Sequence, residues 1–388
     1  MTNRKNIILN RLALIVLLSA TMNPLSIFGQ NNNGLTKTQL WSRIASYFSI
    51  PDKYKLDSGE YSSPLFFENG KKISTKSQWL ERRKEILNYW NGMMGKWPPL
   101  LKDQKFLILK SERRGDIMQY TIRFKWTPNE FTNGYLLVPV KKGKLPAVIT
   151  VYYEPETLIG RNDNAPNRDF ALQLSKRGFI TLALGTPEAT KNKTYSIFYP
   201  SINNATVQPL SMLAYAAANA WYALSNFPKV DKNRIGIVGH SFGGKWAMFA
   251  SCLFDKFRCA AWSDPGIVFG NTPDINYWEP WYLGYYPPPW RKRGLITADN
   301  PAKGIYNELI KDHHDLLELH TLMAPRPFLV SGGSADTEER WNVLKYSVAV
   351  NKLLGYENRV AMTNRQGHAP TPLSNQQIGD FFEYFLMN

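Results

Sequence analysis

Two hydrophobic periodicities divide the chain. KFLILKS (105–111), IMQYTIRFKW (117–126) and NGYLLVPV (133–140) are short runs rich in β-branched and aromatic residues, with turn signals between them. They predict three antiparallel strands. PAVITVYY (146–153) is a more continuous apolar run, the pattern of a strand covered on both faces. Strand and helix patterns then alternate. The strand patterns are FITLALG (179–185), RIGIVGH (234–240), RCAAWSD (258–264), PFLVSGG (327–333) and NRVAMTN (358–364). The helical patterns between and after them are DFALQLSKRG (169–178), PLSMLAYAAANAWYALSNF (209–227), FGGKWAMFASCLF (242–254), AKGIYNELIKDHHDLLELH (302–320), ERWNVLKYSVAVNKLLG (339–355) and SNQQIGDFFEYFL (374–386). Such alternation predicts an α/β chain with a mostly parallel central sheet, helices on both faces, and a site at the carboxyl ends of the strands.

Residues 30–105 read differently. LTKTQLWSRIASYF suggests a short amphipathic helix, and SQWLERRKEILNYWNGMMGKW (77–97) a longer one stopped by Pro98 and Pro99. Trp79, Ile86, Leu87 and Trp90 recur at helical spacing, so this extension is expected to pack on the main body. Ahead of it, residues 1–29 carry Arg4, Lys5 and Arg11, then the apolar run LALIVLLSA (12–20), then small and polar residues around Gly29–Gln30. That order is the pattern of a secretory signal peptide. The run is shorter than the ~20 apolar residues a spanning helix needs. The expected division is a signal over 1–29, a helical extension over 30–105 and a catalytic domain over 106–388, with a periplasmic or extracellular destination.

The 388 residues are 44% hydrophobic and 20% charged, a balance that supports a sizeable core. The 47 Lys and Arg against 31 Asp and Glu give a net charge of +16, which falls to +13 without the three cations of the first 29 residues. For an exported protein this suits an anionic substrate or surface. The cations are dispersed rather than gathered in one arm, and together with the export pattern this argues against nucleic acid. Cys252 and Cys259 are the only cysteines. An oxidising compartment permits a disulfide between them, and a pair of buried thiols is the alternative.

The chemistry centres on GHSFG (239–243), a G-x-S-x-G sequence between an apolar strand and a helix. On a strand-to-helix turn the serine is strained and exposed, and small flanking residues admit neighbouring backbone. Ser241 is therefore the candidate nucleophile. Of the five histidines, His368 lies in the loop after the last strand, where a general base belongs in the order Ser, acid, His. His240 should point elsewhere. His313, His314 and His320 lack HExxH spacing and suit solvent-facing or capping roles. Asp336, directly after a strand, is the preferred third member; Asp264, at the end of the preceding strand, is its rival. The N–H of Phe242 and an N–H from the turn after PAVITVYY, at Tyr153 or Glu154, would hold a developing oxyanion. The triad requires neither cofactor nor metal.

Taken together these residues resemble the α/β-hydrolase superfamily over roughly 130–388, and within it the secreted carbohydrate esterases. One similar branch is the glucuronoyl esterases, whose elbow commonly reads G-C-S-R-x-G-K where this chain has G-H-S-F-G-G-K. That resemblance implies a sugar-contacting role for Lys245; Phe242 replaces an arginine that assists the oxyanion, and Asp264 falls where some of those enzymes carry a catalytic glutamate. The other is the α/β-hydrolase type of pectin methylesterase, which GHSFGGKWAMF, WSDPG and NRQGH resemble. It implies hydrolysis of methyl galacturonate esters in an anionic plant polysaccharide. NYWEPWYLGYYPPPWRKRG (276–294) is dense in aromatic residues and ends in cations, so Trp278 and Trp281 are expected to stack on sugar rings, beside Lys245 and Asp264 in the pocket. O-acetyl or glucuronoyl ester hydrolysis and an inactive carbohydrate-binding homologue are the other readings.

Overall fold

The computed structural model describes residues 35–56, 61–186, 196–269, 282–292 and 296–387. The expected signal segment, Trp278 and Trp281 lie outside the described residues.

Among the described residues nine strands form one sheet: β1 Leu107–Arg114, β2 Ile117–Lys125, β3 Phe131–Pro139, β4 Leu145–Val151, β5 Ile180–Leu184, β6 Val230–His240, β7 Cys259–Ser263, β8 Phe328–Gly332 and β9 Val360–Asn364. Their order across the sheet is β1-β2-β3-β5-β4-β6-β7-β8-β9. The first three strands are antiparallel, β3 is antiparallel to β5, and every pair from β5 to β9 is parallel. This is the α/β-hydrolase architecture expected of the alternating pattern. Strands β5, β7 and β8 are buried throughout, as strands covered on both faces must be.

Helices α1 Lys37–Ile44 and α2 Lys76–Met94 belong to the N-terminal extension. Each starts with a capping box, Thr36 with Gln39 and Thr75 with Gln78, which satisfies amide groups left over at a helix start. Trp79, Ile86 and Trp90 of α2 are buried in the same core as the sheet. Helix α2 stops at Gly95, whose φ is +85° and where a Cβ would fall 2.1 Å from the Thr206 carbonyl, so only glycine fits. The remaining helices are α3 Pro155–Leu158, α4 Phe170–Lys176, α5 Pro209–Ser225, α6 Phe242–Leu253, α7 Ile305–Lys311, α8 Leu317–Thr321, α9 Trp341–Leu354 and α10 Pro372–Phe382. The extension is tied to α5 by Trp97 Nε1 donating to Ser211 Oγ at 2.8 Å, and to α8 by Trp90 Nε1 donating to Glu318 Oε2 at 2.8 Å.

The single helix expected over 302–320 is two short ones. His313 between them has a φ of +60°, a left-handed conformation that an α-helix does not continue through. Cys252 on α6 and Cys259 at the start of β7 are both buried free thiols, the second of the two states the sequence allowed. Burial pushes both thiols up, so they remain protonated. Among the described residues no helix is long and apolar enough to cross a membrane.

Candidate active site

Strand β6 ends at His240 and α6 begins at Phe242, so Ser241 alone makes the turn. Its φ of 56° and ψ of −117° are unusual for a residue with a side chain, a strain of ~1–3 kcal/mol that the surroundings must hold. They do so through the Ser241 N–H donating to the Ser263 carbonyl at 2.8 Å and the Lys245 N–H donating to the Ser241 carbonyl at 3.0 Å. The flanking glycines are steric necessities. A Cβ on Gly239 would fall 2.1 Å from the Gly243 carbonyl oxygen, and one on Gly243 2.0 Å from that of Val151.

The Ser241 hydroxyl lies 2.9 Å from His368 Nε2, and His368 Nδ1 lies 2.6 Å from Asp264 Oδ2. The Asp264 side chain is fully buried while that of His368 is 44% exposed, so the imidazole is open to a substrate and its carboxylate partner is not. Burial works to raise the Asp264 carboxyl, but the bonds from His368 and from the amides of Asp336 and Ala335 outweigh it and hold it below the usual range. An ionised Asp264 only accepts, which puts the imidazole proton on Nδ1 and leaves Nε2 to accept from the serine.

The preferred acid, Asp336, does not face His368. Its carboxylate accepts from the Gly266 and Ile267 amides at 2.7 Å each, and Arg340 Nε lies 3.3 Å away. Burial and the nearby Asp264 raise its carboxyl. The correction has a local cause: Asp264 adopts a φ of 50° immediately after β7, which turns its side chain toward the His368 loop. Gly333 makes room for it, since a Cβ there would lie 2.7 Å from Asp264 Oδ2.

The loop carrying His368 is held by a residue that sequence reasoning passed over. Arg365 donates to the carbonyls of His368 at 2.6 Å, Ala369 at 2.8 Å and Ser331 at 2.8 Å, and lies 3.3 Å from Ser263 Oγ. One guanidinium thus joins the ends of β7 and β8 to the loop after β9. Its signal was its place in NRQGH, but an arginine three residues before a histidine reads equally well as a surface cation.

His240 is buried beneath the site, with Nδ1 3.1 Å from the Ser263 carbonyl and its ring centroid 4.7 Å from that of His368. Phe242 is the first residue of α6, where the helix dipole is positive. The Tyr153 ring stacks on the Phe242 ring at 4.9 Å, so the two expected oxyanion positions are neighbours. Lys245 Nζ donates to the Pro265 carbonyl. Burial pushes the amine down to about 8, against the pull of Asp336 and Asp264. Of the remaining histidines His313 is exposed as expected, while His314 Nδ1 lies 2.9 Å from Glu318 Oε2 and His320 is wholly buried against Trp262 and Phe328.

Beyond the Tyr153 turn a cavity of about 960 Å³ opens at the same end of the sheet, its walls including Trp126, Tyr135, Phe198 and Trp290, with Glu130 and Glu156 among its polar groups. Among the described residues no cluster of His, Cys, Asp and Glu has the makings of a metal site.

No family model matches the chain, and no curated protein matches it. Solved structures do. A glucuronoyl esterase from Solibacter usitatus superposes with a TM-score of 0.64 at 16% identity, covering 86% of this chain and 99% of its own. A carbohydrate esterase family 15 glucuronoyl esterase from Caldicellulosiruptor kristjansonii gives 0.61 at 19% identity, over 87% and 93%. A variant glucuronoyl esterase from Sporotrichum thermophile, in complex with methyl 4-O-methyl-β-D-glucopyranuronate, gives 0.54 at 16% identity, over 87% and 91%. At these identities the likeness is one of fold.

Proposed function

We propose that the protein is an exported serine carbohydrate esterase that hydrolyses esters of uronic acids, methyl galacturonate in pectin foremost. The observation that carries this reading is the hydrogen-bonded line from Ser241 through His368 to Asp264 at the carboxyl ends of the strands. His368 Nε2 takes the serine proton as Ser241 Oγ attacks the ester carbonyl carbon. Asp264 stabilises the resulting imidazolium, and the N–H groups of Phe242 and Tyr153 hold the oxyanion. The imidazolium then returns the proton to the departing alcohol, methanol for a methyl ester. Water, activated by the same imidazole, hydrolyses the acyl-enzyme. The net charge of +13 left without residues 1–29 and the exposed imidazole suit an anionic polymer reaching an open site. Export rests on the basic and apolar pattern of residues 1–29.

A glucuronoyl ester is the second reading, favoured by the solved glucuronoyl esterases of the same fold and by Lys245 at its place after the elbow. The test is product release by wild type and Ser241→Ala. Methanol from highly methylated homogalacturonan, lost in the variant, supports the first reading. Turnover confined to bulky aryl-alkyl glucuronates moves the substrate to the second, and acetate from acetylated xylan moves it to O-acetyl esters. Release of no product by folded protein overturns the esterase reading.

A further inference from the structure

The rim of this site carries a guanidinium that no acid among the described residues neutralises. Arg168 lies in the loop between α3 and α4, one residue before the Asp169 N-cap. That loop is pinned where Asn375 Nδ2 donates to the Asn167 carbonyl at 2.8 Å, and Asn167 itself has a φ of 62°. Asn375 belongs to α10, which follows the His368 loop directly, so Arg168 is held at the histidine end of the site. Burial raises the Tyr152 hydroxyl, and the nearby Arg168 charge works against that rise. The Tyr152 ring lies parallel to that of His240 at 6.2 Å, and the His240 ring is next to that of His368.

Arg168 Nε is buried with no hydrogen-bond partner, and no carboxylate among the described residues pairs with the side chain. Of the acids nearby, Asp169 accepts from Gln173, Asp264 faces His368, and Glu154, whose carboxyl burial raises, makes no ion pair with Arg168. The field at this place is positive. Burial pushes the His240 imidazole well below its ordinary value, and the charges of His368, Arg365 and Arg168 push it further. A partly exposed guanidinium set among other cations, with no carboxylate partner among the described residues, is costly to maintain unless a ligand brings a counter-charge. Its planar fork matches carboxylates and phosphates, and in a uronate chain the group on offer is the carboxylate.

We propose that Arg168 is the carboxylate-binding residue of the cleft, receiving a free uronate of the substrate chain beside the sugar whose ester is cleaved. This deepens the proposed function, on which it rests for the identity of the sugar. The enzyme then recognises partly de-esterified stretches rather than fully esterified ones, and its basic charge acts through a defined contact.

Calorimetric titration of the Ser241→Ala protein with trigalacturonate, and separately with neutral galactotriose, tests this without any turnover. Replacing Arg168 by glutamine in that background should weaken trigalacturonate at least about tenfold, the scale of one charge-assisted pair. Arg113→Gln, which removes the same charge from the exposed β1 edge, should leave it unchanged. Equal affinity in the Arg168→Gln protein, equal loss in the Arg113→Gln protein, or no preference of the parent for trigalacturonate over galactotriose would each overturn the proposal. If Arg168→Gln fails to fold, Arg168→Lys takes its place; it keeps the charge without the fork and should still bind several-fold more weakly, an unchanged affinity overturning the assignment. Binding is read independently of ester turnover, so failure of the esterase reading and failure of this contact are separate results.

Discussion

The backbone N–H of Asp336 donates to the Asp264 carboxylate at 2.8 Å, while the Asp336 carboxylate accepts from the two amides at Gly266 and Ile267, just past Asp264. Each acid thus braces the loop that carries the other. The arrangement separates their tasks. Asp264 is ionised and faces His368; Asp336 holds the 264–267 turn in the shape that makes this possible.

The two carboxyl-to-amide changes are therefore expected to differ in kind. Asp264→Asn leaves no anion on Nδ1 and favours the wrong imidazole tautomer, so kcat should fall by about 10³–10⁴ with little change in KM, the scale set by triads of this type. Asp336→Asn weakens the acceptor for two buried amides and should cost ~2 kcal/mol of stability with a smaller fall in kcat. Steady-state kinetics with urea unfolding of both variants checks the split. Reversed effects would return the catalytic role to Asp336.

Gly333→Ala tests the fit of Asp264 directly. The added Cβ would sit 2.7 Å from Asp264 Oδ2 and 2.4 Å from the Gly367 carbonyl, so the carboxylate or the histidine loop must move. A displacement of this size at a proton-transfer pair is expected to lower kcat by about 10²-fold. Gly367→Ala, in the same loop, meets nothing within 4 Å and should retain activity within a few-fold.

Much of this architecture was legible because it is written in local periodicity. The strand-to-helix alternation, the elbow at Ser241 and the loop after β9 all follow from patterns a few residues long. The choice between Asp264 and Asp336 does not. Both acids follow strands that are neighbours in the sheet, and the decision lies in one left-handed backbone conformation at Asp264 and the space left by Gly333. The break at His313 was hidden for a similar reason, since the apolar spacing runs on across it. The role of Arg365 was invisible because most of its acceptors are carbonyls, at the end of β8 and in the loop after β9, and backbone acceptors carry no sequence signature.

Arg365 is a positioning residue for His368, and its substitution should show it. Arg365→Ala removes donors from several carbonyls, those of His368 and Ala369 among them. A fall of about 10²-fold in kcat with a modest change in KM is expected, together with a stability loss of ~2 kcal/mol. Arg365→Lys should not rescue it, because a single ammonium cannot span the acceptors that the fork reaches. Arg177→Ala, which breaks ion pairs with Asp380 and Glu383 far from His368, serves as the comparison and should lose stability with kcat intact.

His320 on α8 and His314, in the turn before that helix, are expected to tilt stability in opposite directions with pH. His320 on α8 is fully buried, neither ring nitrogen has a partner, and burial pushes its imidazole down to about 3. Its folded value is depressed, so the unfolded chain binds the proton first as pH falls. Its contribution is intact above about 6.5 and is lost between there and about 3, at up to ~1.4 kcal/mol per pH unit. His314 is the reverse case. Burial works against its charge, but the hydrogen bond to Glu318 prevails and raises it, so its contribution is present below the unfolded value and lost as pH rises through the folded one. His320→Leu removes the depressed group and two unmet polar atoms. It should stabilise the protein by ~1–2 kcal/mol at pH 7 and widen its advantage over wild type by about 2 kcal/mol at pH 5. Urea midpoints at the two pH values measure this. An advantage that stays constant between them would show that His320 is protonated in the folded state and has an acceptor there.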